Sequence, residues 1–186
     1  MERLKKIKLL AMDVDGVLTD GSMFYLEEAG QARVFNVQDG LGIRMAMLAG
    51  LQIAWITGNI SETVARRATD LGVTDLFQGA RYKSEAVREL MRRHGLSAEE
   101  VAYIGDDLND LPAFEAAGVS FAVSNAVQDI KDAANFITTR RGGSGAIREV
   151  IEIILKSQGK RQDAVAAVLK EFEREQAEGQ VEKTAG

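Results

Sequence analysis

The sequence predicts an α/β protein built on a doubly wound parallel sheet, with a short β-hairpin flap and no large cap domain. Three observations carry that prediction. Short runs rich in Val, Ile and Leu alternate with stretches of helical period, each run closes on Gly, Asp or Asn, and 186 residues suffice for one sizeable core. One segment, SMFYLEEAGQARVFNV (22–37), breaks the alternation with two β-prone runs around EEAG, and reads as the hairpin.

In chain order, IKLLAM (7–12) is the first strand. A basic patch precedes it, so MERLKKIKLLAMDVDG faintly mimics a signal peptide, but its apolar run is too short and ends in acids. The hairpin follows at once and is placed to stand over a site at the end of that strand; a plain surface hairpin fits the pattern equally. Then come the helix DGLGIRMAMLAG, the strand LQIAWIT, the helix SETVARRATDLG and the short strand VTDLFQG. RYKSEAVRELMRRHG is helix, EVAYIG strand and DLPAFEAAG helix; VSFAVS, NFIT and the helix GAIREVIEIILKSQ complete a domain over 1–157. Within 158–186, the stripe Val165, Val168, Leu169 and Phe172 predicts one more helix, docked on the chain's own body or on another subunit. QVEKTAG reads as a frayed end.

Bulk properties narrow the function. A net charge of −5 argues against nucleic acid or an anionic membrane as partner. The chain has no Cys, which excludes disulfides, zinc–thiolate sites and thiol catalysis. No apolar run reaches the roughly 18 residues of a membrane span, and a cytoplasmic location is expected. The single histidine, His94, follows Val87, Leu90 and Met91 at helical spacing and precedes Gly95, so it is expected to pack at or cap a helix end. Ser-His-Asp and phosphohistidine chemistry are thereby disfavoured.

What remains are polar residues at successive strand ends. The first strand delivers Asp13 and Asp15, the second Thr57, Gly58 and Asn59; Lys83 opens a helix, and YIGDDLND delivers Asp106, Asp107, Asn109 and Asp110. Each alone has a bland explanation as a helix cap, a turn residue or a solvated side chain. In a parallel sheet they arrive together at the edge where such folds bind ligands. Four or five carboxylates there cannot all stay ionised without a cation. Ligands that are all oxygen call for a hard ion, Mg²⁺ first. Lys83, the Thr57 hydroxyl and the Gly58 N–H add donors for a dianion, and a phosphoryl group fits. Asp13 and Asp15 lie two apart and diverge as the turn begins. One can then attack phosphorus while the other serves the leaving oxygen as acid and the incoming water as base.

DVDGVLTDG, ITGN, the downstream Lys and GDDLND together resemble the four motifs of haloacid dehalogenase-like phosphatases, whose core is Rossmann-like. FNVQDGLGIR, LFQGARYK and RRGGSGAIREV extend the resemblance over about 7–157, to the 3-deoxy-D-manno-octulosonate 8-phosphate phosphatase family. That resemblance implies a nucleophile at Asp13, an acid/base at Asp15, and Mg²⁺ on Asp13, the Asp15 main-chain carbonyl and Asp106. It also implies that Thr57, Gly58 and Lys83 hold phosphoryl oxygens, with Asp107 and Asp110 in support. The sugar acid would be met by Asn36, Val37, Gln38, Asp39, Gly40, Arg44, Asn59 and Arg67. A homotetramer is implied, neighbours closing the site. Octulosonate phosphatases usually carry a basic residue after ITG, where this chain has Asn59; phosphatases of nonulosonate 9-phosphates have non-basic residues there. Two other classes share parts of the pattern: a phosphoacceptor receiver domain, whose motif order differs, and a non-catalytic scaffold, which would not need every chemical group kept.

Overall fold

The structure is a computed structural model that describes residues 2–26 and 30–184, and the hairpin turn EEA lies outside the described residues. Six strands form one parallel sheet: β1 (Leu9–Met12), β4 (Gln52–Ile56), β5 (Asp75–Phe77), β6 (Val101–Gly105), β7 (Val119–Ala122) and β8 (Phe136–Ile137). Their order is β5-β4-β1-β6-β7-β8. β1 pairs with β4 on one side and β6 on the other, in parallel. The chain therefore winds outward from β1 in one direction and returns to build the other half, leaving a switch point at the carboxyl ends of β1, β4 and β6. All of these strands match runs read from sequence.

The reason β1 sits centrally is in its composition. Leu9, Leu10, Ala11 and Met12 are all buried, as a strand covered on both faces must be. The helices are α1 (Val37–Leu48), α2 (Glu62–Leu71), α3 (Lys83–His94), α4 (Leu111–Ala116), α5 (Gln128–Ala133), α6 (Ala146–Ser157) and α7 (Arg161–Thr184). α1 packs on α2, α6 and α7, while α4 packs on α3 and α5. α5 went unread in the sequence, its six residues being too few to show a helical period. His94 closes α3 with its Nε2 2.7 Å from Asp75, ahead of Gly95 in the left-handed conformation.

Two parts of the expected picture change. The helical backbone of α7 runs to Thr184, through most of the stretch read as frayed. Its docked face is Ala164 and Val168, with Val165 half-buried, whereas Leu169 and Phe172 of the predicted stripe are exposed. The helix settles on α1 and α6 of its own chain along its first turns, held further by Arg44 reaching Glu171 and Glu175.

The hairpin forms from β2 (Phe24–Leu26) and β3 (Gly30–Ala32), antiparallel and separate from the main sheet. Thr63 of α2 donates from Oγ1 to the Gln31 carbonyl, 3.2 Å away, which ties the hairpin to the body. No other insertion among the described residues is large enough to make a cap, and none of the described helices is long and apolar enough to cross a membrane.

Candidate active site

Past the end of β1 the ladder continues for one residue, Asp13 N–H donating to the Ile104 carbonyl at 3.0 Å. The chain then turns: the Val14 carbonyl accepts from the N–H groups of Leu18 and Thr19. Gly16 has φ +96°, and a Cβ there would run into the Asp106 carboxylate. Only glycine allows the first loop to lie against the loop after β6. Gly142 does the same from the far side, since a Cβ on it would strike the Gly16 carbonyl. The phrase RRGGSG thus braces the aspartate loop rather than touching the crevice.

This turn separates the two aspartates. Asp13 is 4% exposed and takes a hydrogen bond from Lys83 Nζ at 2.6 Å. Asp15 points outward, accepting from Arg33 Nε at 2.6 Å on one oxygen and from Asn59 Nδ2 at 2.9 Å on the other. Lys83, at the first position of α3 and 1% exposed, also donates to Asp110 at 2.7 Å. Asp110 is saturated: Oδ1 accepts from Lys83 and from the Tyr103 hydroxyl at 2.8 Å, and Oδ2 from the Asp106 N–H at 2.8 Å. Its task is to fix the lysine and the loop after β6. The Thr57 hydroxyl oxygen accepts from Asn59 N–H at 3.1 Å, which leaves its own O–H to donate.

Asp13, Asp106 and Asp110 bring one carboxylate oxygen each within 4.8 Å of one another. With Asp110 committed elsewhere, Asp13 and Asp106 are the pair that would share an ion. Their electrostatics agree. Burial raises the Asp106 carboxyl to about 7, with the Asp110 charge adding to the effect and Lys83 opposing it. Asp13 is also pushed up, first by burial and then by Asp110, against the pull of Lys83. Burial would lower Lys83, but the carboxylates of Asp13 and Asp110 outweigh it and hold the ammonium charged. Acids that burial makes reluctant to ionise are what a hard divalent cation would compensate, and this all-oxygen donor set fits one.

Asp13, Asp15, Thr57 and Asp106 line one crevice of about 530 Å³, together with Gly58, Asn59 and Asp107, while Lys83 and Asp110 lie beneath it. Asp107 is exposed and caps the turn after β6, its Oδ1 accepting from Leu108 N–H at 2.7 Å. Other residues expected here stand elsewhere. Asn36 caps α1 and donates to the Gly143 carbonyl at 3.4 Å; Gln38 accepts from Arg140 at 3.1 Å; Val37 is 78% exposed. Asp39 is buried and accepts from Gly145 and Arg148 N–H groups at 3.1 and 2.8 Å, capping α6. Gly40 leaves room for the Arg67 guanidinium between α1 and α2, and Arg44 faces α7. Within one chain, then, 36–40, Arg44 and Arg67 join elements and do not line the acid crevice.

Two participants escaped the sequence reading. Arg33, just past β3, has a fully buried side chain and spans from Asp15 to Ser61 Oγ at 2.8 Å. A cation in a β-prone run beside an acid pair was its only signal. Tyr103 lies inside the apolar run EVAYIG, and periodicity does not reveal where its hydroxyl ends.

A doubly wound sheet that gathers Asp13, Thr57, Lys83 and Asp106 past the carboxyl ends of its strands defines a class. The description haloacid dehalogenase-like hydrolase matches residues 52–151. The 3-deoxy-D-manno-octulosonate 8-phosphate phosphatase of Haemophilus influenzae is 45% identical over 159 residues, 86% of this chain and 88% of that protein. A solved structure of the cobalt-bound Haemophilus influenzae phosphatase superposes with a TM-score of 0.83 at 45% identity, covering 86% of this chain and 93% of that one. The Moraxella catarrhalis phosphatase, solved with magnesium, phosphate and KDO, gives 0.86 at 42% identity, covering 89% and 95%. The chain belongs to the 3-deoxy-D-manno-octulosonate 8-phosphate phosphatase family of the haloacid dehalogenase-like hydrolases.

Proposed function

We propose that this chain is a Mg²⁺-dependent phosphomonoesterase that converts 3-deoxy-D-manno-octulosonate 8-phosphate to the free sugar acid and phosphate through an aspartyl-phosphate on Asp13. The observation that carries this reading is the buried pair of Asp13 and Lys83 with the half-buried Asp106 beside them at the switch point, in a chain 45% identical to a phosphatase of that name.

Asp13 and Asp106, with the Asp15 main-chain carbonyl, would hold Mg²⁺, which when bound offsets negative charge on the phosphoryl oxygens and the carboxylates. Lys83, the Thr57 O–H and the Gly58 N–H hold phosphoryl oxygens, so they need not reorganise as charge builds. An Asp13 oxygen forms a bond to phosphorus as the phosphorus–sugar oxygen bond breaks, and Asp15 gives the departing oxygen its proton. Asp15 then takes a proton from water as that water attacks phosphorus; the Asp13–phosphorus bond breaks, and carboxylate and phosphate are restored. Arg33 and Asn59 hold both Asp15 oxygens in place meanwhile.

A second reading, a nonulosonate 9-phosphate as substrate, is favoured by Asn59, a neutral side chain on the crevice rim bonded to Asp15. The open crevice and short hairpin also support a homotetramer with neighbours closing the site; dilution to monomer should then cost activity. Phosphate release from a panel of 2-keto-3-deoxy sugar-acid phosphates, with Mg²⁺ and with EDTA, tests the reading. Mg²⁺-dependent release from the eight-carbon ester is expected. Preference for the nine-carbon ester selects the second reading, and a long-lived phosphoprotein without turnover selects a signalling receiver.

A further inference from the structure

We infer that Arg81 is the cation of this site that recognises the carboxylate of the substrate and so sets its preference for acidic phosphate esters. The inference rests on the sugar-acid phosphatase reading above and deepens it.

Charge balance makes the case. Asp13, Asp15, Asp106 and Asp107 line the crevice, and Arg81 is its one lining cation among the described residues. The nearby cations do not reach the sugar acid: Lys83 lies beneath, between Asp13 and Asp110 and assigned to the phosphate, and the fully buried Arg33 side chain is bound to Asp15 and Ser61. Arg44 and Arg67 face α7 and α1. Arg81 is exposed and has no side-chain hydrogen bond or ion pair among the described residues. A substrate bearing both a phosphate and a carboxylate brings two anionic ends to a rim with four acids, so a second cation is needed beyond those that hold the phosphate.

Placement supports the assignment. Arg81 stands two residues before Lys83, on the loop that opens α3. That loop is fastened to the Thr57–Asn59 turn, with Ala80 N–H donating to the Thr57 carbonyl at 3.0 Å and Gly79 N–H to the Asn59 carbonyl at 3.3 Å. The phosphate donors and Arg81 therefore move as one piece. Ala80 and Arg81 also border a second hollow of about 450 Å³, walled by Phe77 and the 70% exposed Tyr82, into which the part of the substrate beyond the phosphate can extend. A guanidinium fork at that boundary can take both oxygens of a carboxylate.

The test compares Arg81→Ala and Arg81→Lys with the parent on 3-deoxy-D-manno-octulosonate 8-phosphate and on p-nitrophenyl phosphate, which has no carboxylate. Arg81→Ala should raise KM for the sugar acid by about tenfold or more, chiefly through binding rather than kcat. Its loss of kcat/KM should be several times larger on the sugar acid than on p-nitrophenyl phosphate, and Arg81→Lys should recover part of it. Equal losses on both esters, or a KM within about twofold of the parent, would overturn the inference while leaving the phosphatase reading intact. A parent that shows no preference for the sugar acid overturns both.

Discussion

The two ends of the parallel sheet make an instructive pair. At the amino ends of the strands lies a cleft of about 800 Å³, bordered by Lys5, Lys6 and Lys8, larger than the acid crevice at the carboxyl ends. Three of its four lysines are already paired: Lys5 with Glu2, Lys6 with Glu99 and Lys8 with Glu100, each lysine more than half exposed to water. Such pairs hold little free energy and orient nothing. At the carboxyl ends, Asp13, Asp110 and Lys83 are taken out of water, Asp106 is half-buried beside them, and their charges are left imperfectly balanced. Volume does not make a site; stored electrostatic tension does.

The largest effect expected from breaking this contrast is at Asp13. Asp13→Asn keeps the shape and removes the nucleophile proposed above, so phosphate release should fall by at least about a thousandfold. Circular dichroism and Tm should stay close to the parent, since a buried charge has been traded for a neutral amide. Activity within a few-fold of the parent would sink the mechanism.

Lys83→Met comes next. It leaves Asp13 and Asp110 facing each other without their shared cation, at a cost of about 3–5 kcal/mol in denaturant unfolding. A loss below about 1 kcal/mol would show that the lysine is not the keystone of the buried charges.

The third effect is one of pH. Asp106 titrates near 7 in the folded chain without metal, against about 4 unfolded. The native state then holds the extra proton between those values, so its contribution to stability is present at low pH and fades as pH rises to 7. A divalent cation favours the ionised form and cancels that loss. The gap in Tm with and without Mg²⁺ should therefore widen from about pH 5 to pH 8, followed by differential scanning fluorimetry. A gap that is constant or narrows with pH would contradict the assignment.

Smallest of all is the effect at the opposite end. Lys6→Ala breaks an exposed pair with Glu99 and should leave Tm and kinetics indistinguishable from the parent. A clear loss of turnover would mean that the larger cleft is linked to the chemistry after all.

What the sequence disclosed follows the same divide. Asp13, Asp15, Thr57, Lys83 and Asp106 were legible because each closes an apolar run or opens a helix, and a parallel sheet gathers those positions at one edge. Asp39 entered through the family resemblance alone; within this chain its carboxylate caps a helix more than a hundred residues on, a partner that no local pattern encodes. Arg44 likewise met its acids on α7, through a packing of helices that periodicity does not specify. Arg33 and Tyr103 were hidden for the complementary reason. Each sits in a run that reads as plain strand, and only the fold shows the polar tip of one on Asp15 and of the other on Asp110.

Crystals grown with Mg²⁺ and beryllium fluoride, whose trifluoride stands in for the transferring phosphoryl group, put the central claim to its most direct test. The adduct should be bonded to an Asp13 oxygen, with Lys83, Thr57 and Gly58 on its fluorides and the metal between Asp13 and Asp106. A beryllium adduct on another residue, or a metal that leaves Asp106 unbound, would contradict it.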